Sequence, residues 1–123
     1  MYLKDLYCTI YVNTDMGKPG LTILINDYLH GDLWMNEIES KFLSISVMKN
    51  KRIDSTKTPD TSDAFLNYPY YLDIDPADNV NRETFIQQLK SLINFLRKNG
   101  FKAQPVCDFE EELNEINNAS LIL

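Results

Sequence analysis

Hydrophobic and polar residues alternate along segments 42–48 and 68–75, and segment 6–12 is β-branched and aromatic throughout. These patterns predict three strands. Apolar residues instead recur at helical spacing from 19 to 30 and again from 85 to 96, which predicts two helices. Pro19 and Gly31 suit the two ends of the first helix, and Asn81 suits the N-cap of the second. A fourth strand is expected at 101–107.

The predicted order of elements is β-α-β-β-α-β, which indicates an α+β domain of the ferredoxin-like type. Its four strands would form one antiparallel sheet, with both helices on one face and the first and third strands at the centre. Segment 33–38 leaves two alternatives open, because it fits either a separate short strand or the bent start of a longer one. An extra hairpin between Leu33 and Val47 would give a five-stranded variant.

The chain has 123 residues, which fits a single domain, 1–123. Residues 49–63 are polar and contain Pro59, so we expect an exposed, flexible loop there. Residues 113–123 are weakly patterned, and we expect a weakly structured C-terminal tail.

The net charge says more about possible binding partners than the rest of the composition does. The formal net charge is -6 at pH 7, and such a field repels nucleic-acid backbones and anionic membrane surfaces. No apolar run approaches the roughly 20 residues that span a bilayer, and the first residues do not have the pattern of a signal peptide. The chain has two cysteines, Cys8 and Cys107. We therefore expect a cytoplasmic protein with reduced thiols that binds neither nucleic acid nor membrane.

One candidate binding site lies on the sheet face that the helices leave uncovered. Strand alternation places Tyr7, Tyr11, Tyr71, Asp73 and Asp75 on that face. Tyrosines among small polar groups are typical of protein-recognition surfaces. The alternative is that these tyrosines support only cross-strand packing. The acidic residues on this face argue against the base stacking of an RNA-recognition sheet.

A second candidate is the densest group of acidic residues in the chain: Asp108, Glu110, Glu111 and Glu112. Such a run can dock onto a basic partner by charge complementarity. It can equally be a solvated terminal segment, with acids in the first turn of a short helix.

Catalytic chemistry has little support in the sequence. The one histidine, His30, falls at a predicted helix end, and no nucleophile elbow, phosphate-binding glycine loop or metal-ligand cluster is present. Asp73 and Asp75 alone offer too few oxygen ligands for a hard cation. Cys8 is expected in the core, with Cys107 on a neighbouring strand. We expect no enzyme activity, no metal and no cofactor.

Segments 6–12 (LYCTIYV), 68–74 (YPYYLDI) and 107–113 (CDFEEEL) resemble pieces of small, acidic bacterial proteins. The whole chain resembles the single-domain immunity proteins of polymorphic-toxin and contact-dependent inhibition systems. That class has several unrelated folds, so the resemblance implies no particular one. It implies a cytoplasmic protein that occludes the toxin domain of its own strain, often a nuclease, whose basic cleft an acidic surface would fill.

Two other functions are compatible with the predicted fold. A small-molecule-sensing regulatory module, similar to ACT-like domains, would act as a homodimer, although segment 17–20 (GKPG) is a poor match to a glycine-rich ligand loop. A small enzyme would need a cleft with carboxylates of raised pKa. The identity and activity of the toxin, its contact face and the oligomeric state remain open at this point.

Overall fold

The computed structural model describes residues 6–51 and 64–113 of the chain. The fold is α+β, and the described elements follow one another in the order β1 (Cys8–Asn13), α1 (Lys18–Leu29), β2 (Asp32–Trp34), β3 (Glu37–Glu39), β4 (Leu43–Lys49), β5 (Tyr70–Pro76), α2 (Arg82–Lys98) and β6 (Lys102–Val106). A single turn of 3-10 helix, Ala64–Asn67, precedes β5.

The strands form one antiparallel sheet of six strands, in the order β2-β3-β4-β5-β1-β6. This order differs from the predicted four-stranded ferredoxin-like sheet, which is not confirmed. The difference arises at segment 33–38, which forms neither one separate strand nor the start of β4. Instead it contributes to two short strands, β2 and β3, that pair with each other.

The β2–β3 hairpin turns at Met35 and Asn36, and Met35 adopts a left-handed backbone with φ of 57°. Ile38 attaches this hairpin to the rest of the fold. Its side chain is fully buried, and it pairs with Ile45 of β4. The flanking residues of β3, Glu37 and Glu39, are exposed on the opposite face.

The core lies between the helices and one face of the sheet. Alternate residues of β1, β4 and β5 are buried there, in the period of two that the sequence shows. The helices supply the other half of this core: Leu21 and Ile25 from α1, and Phe85, Ile86, Leu89, Leu92, Ile93 and Leu96 from α2. The opposite face of the sheet is therefore the one that the two helices leave uncovered.

The ends of the helices partly follow the predictions. The Asn81 side chain accepts a hydrogen bond of 2.8 Å from the Thr84 backbone N–H, as an N-cap does. The first helix ends differently, because His30 rather than Gly31 adopts the left-handed conformation, with φ of 53°. Gly31 is needed for close packing instead, since a Cβ there would lie 2.9 Å from a side-chain carbon of Ile38.

The predicted loop and tail fall mostly outside the described residues. Of segment 49–63, the structure describes Lys49 at the end of β4, Asn50 and Lys51 before the gap. Asn50 is buried, and its amide donates hydrogen bonds of 2.8 Å to the carbonyls of Leu66 and Tyr68. Of segment 113–123 only Leu113 is described, and it is buried in the core.

Candidate functional site

The uncovered face of the sheet carries a continuous row of polar residues from one strand to the next. Asp73 of β5 lies opposite Thr9 on one side and Ser46 on the other. Ser46 in turn lies opposite Glu37, and Glu37 lies opposite Trp34 at the edge of the sheet. Because side chains at paired positions point to the same face, these five residues form one row across the sheet.

A second row runs beside the first and is more acidic. Asp75 lies opposite Ser44, Ser44 opposite Glu39, and Glu39 opposite Asp32. The Ser44 hydroxyl donates a hydrogen bond of 2.7 Å to Glu39 Oε1, so these two side chains do meet on this face. The carboxylates of the two rows together are called the acidic face below: Asp32, Glu37, Glu39, Asp73 and Asp75.

Asp73 is the centre of a small hydrogen-bond network on the acidic face. The Tyr7 hydroxyl donates a hydrogen bond of 2.5 Å to Asp73 Oδ1. The Thr9 hydroxyl lies 3.1 Å from the Tyr7 oxygen and 3.3 Å from Asp73 Oδ1, so its proton can go to either. Partial burial, followed by the hydrogen bond to Asp73, raises the pKa of Tyr7. The tyrosine therefore remains a neutral donor that holds the carboxylate in place.

Like charges also affect the neighbouring carboxylate. Partial burial and the nearby charge of Asp73 raise the pKa of Asp75. Both causes act against the ionised form, since a second negative charge nearby and the loss of water disfavour it. The ionised form of Asp75 is therefore disfavoured in the folded protein.

The other end of the uncovered face is aromatic. Tyr11 and Tyr71 face each other across β1 and β5, with ring centroids 5.9 Å apart. The ring of Phe65, from the 3-10 turn, meets Tyr11 edge-on at 5.4 Å. Tyr11, Tyr71 and the Tyr7–Asp73 pair line a shallow depression of about 520 Å³, with Lys49 and Lys51 at its rim. The tyrosines thus form both cross-strand pairs and the wall of a concave surface.

The tip of the β2–β3 hairpin adds exposed apolar surface to this edge of the sheet. Trp34 is 72% exposed and Met35 is 80% exposed. Trp34 shares its row with Glu37, so the indole lies beside the acidic face. Exposed tryptophan and methionine side chains are enriched where proteins bind other proteins.

The second predicted group, Asp108 and Glu110 to Glu112, lies elsewhere. Phe109, within this run, is buried against Phe85 of α2, with ring centroids 6.2 Å apart. Glu112 forms an exposed ion pair of 2.5 Å with Arg82 at the start of α2. These contacts place the run beside the helices, so the structure does not join it to the acidic face. Tyr7, Tyr11, Tyr71, Asp73 and Asp75 are brought together as the alternation predicts.

Sequence reasoning missed the outer half of the acidic face. Asp32, Trp34, Glu37 and Glu39 lie in strands of three residues, which are too short to show a clear period. The signal that could have found them is the triplet Glu37-Ile38-Glu39, in which a single apolar residue separates two acids. That pattern is typical of a strand with one face buried.

The carboxylates of the acidic face can pair with cationic groups. Among residues 6–51 and 64–113, no group of three or more histidine, cysteine or acidic side chains is placed to hold a metal ion. Within the same residues no helix is long and apolar enough to cross a bilayer. Comparison of the chain with protein-family models, curated proteins and solved structures finds no match.

Proposed function

We propose that this chain is a non-enzymatic binding protein that neutralises a bacterial toxin domain, acting in the cytoplasm as an immunity protein. The observation that supports the proposal best is the acidic face itself. The basic residues near this face lie away from the carboxylates of the hairpin: Lys102 is at the far end of β6, opposite Asn13, and Lys49 and Lys51 line the tyrosine depression. Five carboxylates stand on the same surface: Asp32, Glu37, Glu39, Asp73 and Asp75.

The expected partner surface is basic and concave, as in the substrate cleft of a nuclease. Carboxylates spaced along two neighbouring rows can pair with several lysine or arginine side chains and occupy the positions of substrate phosphates. Tyr11 and Tyr71 add contact area at low entropic cost. Trp34 and Met35 supply apolar anchors at the edge, where binding energy concentrates in a few large side chains.

We also propose a relationship for the fold. The four longest strands stand in the order β4-β5-β1-β6, and α1 and α2 follow β1 and β5 in the chain. This arrangement supports a ferredoxin-like unit to which the β2–β3 hairpin adds an edge. The hairpin then extends the binding surface, because it carries Trp34 and three of the acids, Asp32, Glu37 and Glu39.

The proposal is tested by capture from lysate of the native cell at low salt, followed by co-expression. Wild-type protein should retain a basic toxin domain in stoichiometric amount, and co-expression should suppress the toxicity of that domain. The double variant Glu37→Gln/Asp73→Asn should lose most of the captured domain, because it removes two charges from the acidic face. The matched control Asp108→Asn/Glu111→Gln removes two charges beside the helices and should retain it.

Each other outcome has a definite meaning. If only the control variant loses the toxin, the binding surface is the run 108–112 and the acidic face is the wrong surface. If the captured domain is equally toxic with and without this protein, the neutralising function is refuted. A homodimer that carries a stoichiometric small molecule would support the ligand-sensing alternative instead.

A further inference from the structure

Cys8 is the first residue of β1, and Cys107 comes directly after the last residue of the neighbouring antiparallel strand β6. Thr9 of β1 pairs with Val106 of β6. Continuing this register by one residue brings Cys8 opposite Cys107. Directly opposed residues of antiparallel strands have Cα atoms about 4.5–5.5 Å apart, which lies within the usual range for disulfides of about 4.4–6.8 Å. The backbone therefore holds the two cysteines at a distance that a disulfide can bridge.

Both cysteine side chains lie on the helix-covered face of the sheet, and both thiols are free. Cys8 is completely buried, whereas Cys107 is half-buried and packs against the same core. The backbone N–H of Cys107 donates a hydrogen bond of 3.2 Å to Glu110 Oε1. This contact restrains the backbone of Cys107 directly after β6.

The surroundings of the two thiols distinguish their roles. The proximity of the two thiols lowers the pKa of Cys107 and raises that of Cys8, and burial raises the pKa of Cys8 further. The Phe109 backbone N–H also stabilises the Cys107 thiolate, while Glu110 and Asp108 oppose it. Cys107 is thus both the more accessible cysteine and the one that ionises first.

We propose that Cys8 and Cys107 form a reversible dithiol–disulfide site, oxidised by exchange with low-molecular-weight disulfides such as oxidised glutathione. In the first step the Cys107 thiolate attacks one sulfur of the disulfide, and a glutathione thiolate leaves. In the second step Cys8 loses its proton to solvent and attacks the Cys107 sulfur, which expels the second glutathione thiolate. The protein gives up two electrons and two protons, and the oxidised glutathione becomes two molecules of the reduced form.

This site is separate from the proposed binding surface. Cys8 and Thr9 are neighbours in β1, but Cys8 points into the core and Thr9 points to the acidic face. Oxidation would join the start of β1 to the end of β6 and leave the carboxylates of the acidic face in place. The redox proposal can therefore be tested independently of toxin binding.

The test is equilibration of the purified full chain in buffers with a rising ratio of oxidised to reduced glutathione. Samples are quenched with acid, unfolded, and treated with a maleimide that adds mass to each free thiol. Wild-type protein should change from two labelled thiols to none, as a monomer that has lost two hydrogen atoms by intact-mass measurement. Return to reduced glutathione should restore both labels.

Two variants establish the roles of the cysteines. Cys8→Ala should retain a mixed disulfide between Cys107 and glutathione, because no second thiol resolves it. Cys107→Ala should remain labelled at Cys8 in the same buffers, since the remaining thiol is buried. Circular dichroism of each variant shows whether it is folded, and the wild-type result tests the proposal even if a variant fails to fold.

The proposal is overturned if wild-type protein keeps two labelled thiols in the most oxidising buffer. It is also overturned if oxidation yields only a glutathione adduct, or a disulfide between two chains, with no intramolecular product.

Discussion

Replacing Ile38 by alanine tests how the β2–β3 hairpin is attached to the fold. The Ile38 side chain is fully buried and lies in the same core cluster as Ile45. The hairpin is also attached by the ladder of three paired residues between β3 and β4. At its turn, the Asn36 carbonyl accepts a hydrogen bond of 2.8 Å from the Val47 N–H, and the Asn36 side-chain amide donates one of 3.0 Å to the Val47 carbonyl. Removing a buried isoleucine side chain to the β-carbon costs about 2–5 kcal/mol, from the lost transfer free energy and the cavity that remains.

The position of Ile38 near the sheet edge places the expected loss at the lower end of that range. The hairpin can move inward and fill part of the cavity, because β2 is the outermost of the described strands. We therefore expect Ile38→Ala to lower the free energy of unfolding by about 2–3 kcal/mol. We also expect amide exchange in residues 32–39 to be faster in Ile38→Ala than in the wild type, since the hairpin of the variant should open before the sheet unfolds.

The assay is urea unfolding followed by circular dichroism, combined with hydrogen exchange measured by mass spectrometry. Ile23→Ala is the matched control, because Ile23 is 51% exposed on α1 and its truncation should cost less than about 0.5 kcal/mol. A loss below about 1 kcal/mol for Ile38→Ala, with unchanged exchange in residues 32–39, would show that Ile38 does not attach the hairpin.

Three further predictions concern charge, backbone strain and oxidation. Asp75→Asn should stabilise the protein above the pKa of Asp75, by roughly a few tenths of a kcal/mol after solvent screening, because burial and Asp73 disfavour the charge. The gain should vanish as the pH falls below the unfolded-state pKa, where Asp75 is protonated in both states, and urea unfolding at several pH values measures it. Met35→Gly should leave the free energy of unfolding unchanged or raise it by up to about 1 kcal/mol, since glycine tolerates the left-handed φ of 57°. A clear decrease in the free energy of unfolding, measured in urea, would contradict this. The Cys8–Cys107 disulfide should raise the free energy of unfolding by about 2–4 kcal/mol, measured by comparing oxidised and reduced protein in urea, and equal midpoints would contradict it.

The longer elements could be predicted from sequence because they repeat their pattern often enough to show it. β4 and β5 have seven residues each and α2 has 17. Each of these elements therefore has more than one buried residue on the same face, and the repeat is visible in the sequence. The same alternation placed Tyr7, Tyr11 and Asp73 on one face of the sheet. These predictions needed only the period of a strand and the side on which the helices pack.

The hairpin could not be predicted in the same way. β2 and β3 have three residues each, and their turn is formed by Met35 and Asn36 without the Asn-Gly or Asp-Gly pair that usually marks a tight hairpin. Asp108 to Glu112 presented the opposite problem, because the run looks solvated although Phe109 within it is buried. In both cases a single buried side chain, Ile38 or Phe109, decides where the neighbouring acids lie, and a single apolar residue has no period.

Under the proposed function, a partner explains the acidic face better than the stability of the fold does. Asp73 and Asp75 lie close enough for the charge of one to raise the pKa of the other. Their mutual repulsion opposes folding at neutral pH, and a polar residue without charge would avoid it. The exposed Trp34 is equally unnecessary for the core, since it contributes little buried area. A basic partner would relieve the repulsion between the carboxylates by neutralising them, and would also cover the exposed indole. Stability and binding should therefore respond in opposite directions to Asp75→Asn, a result that a surface adapted only for solubility would not give.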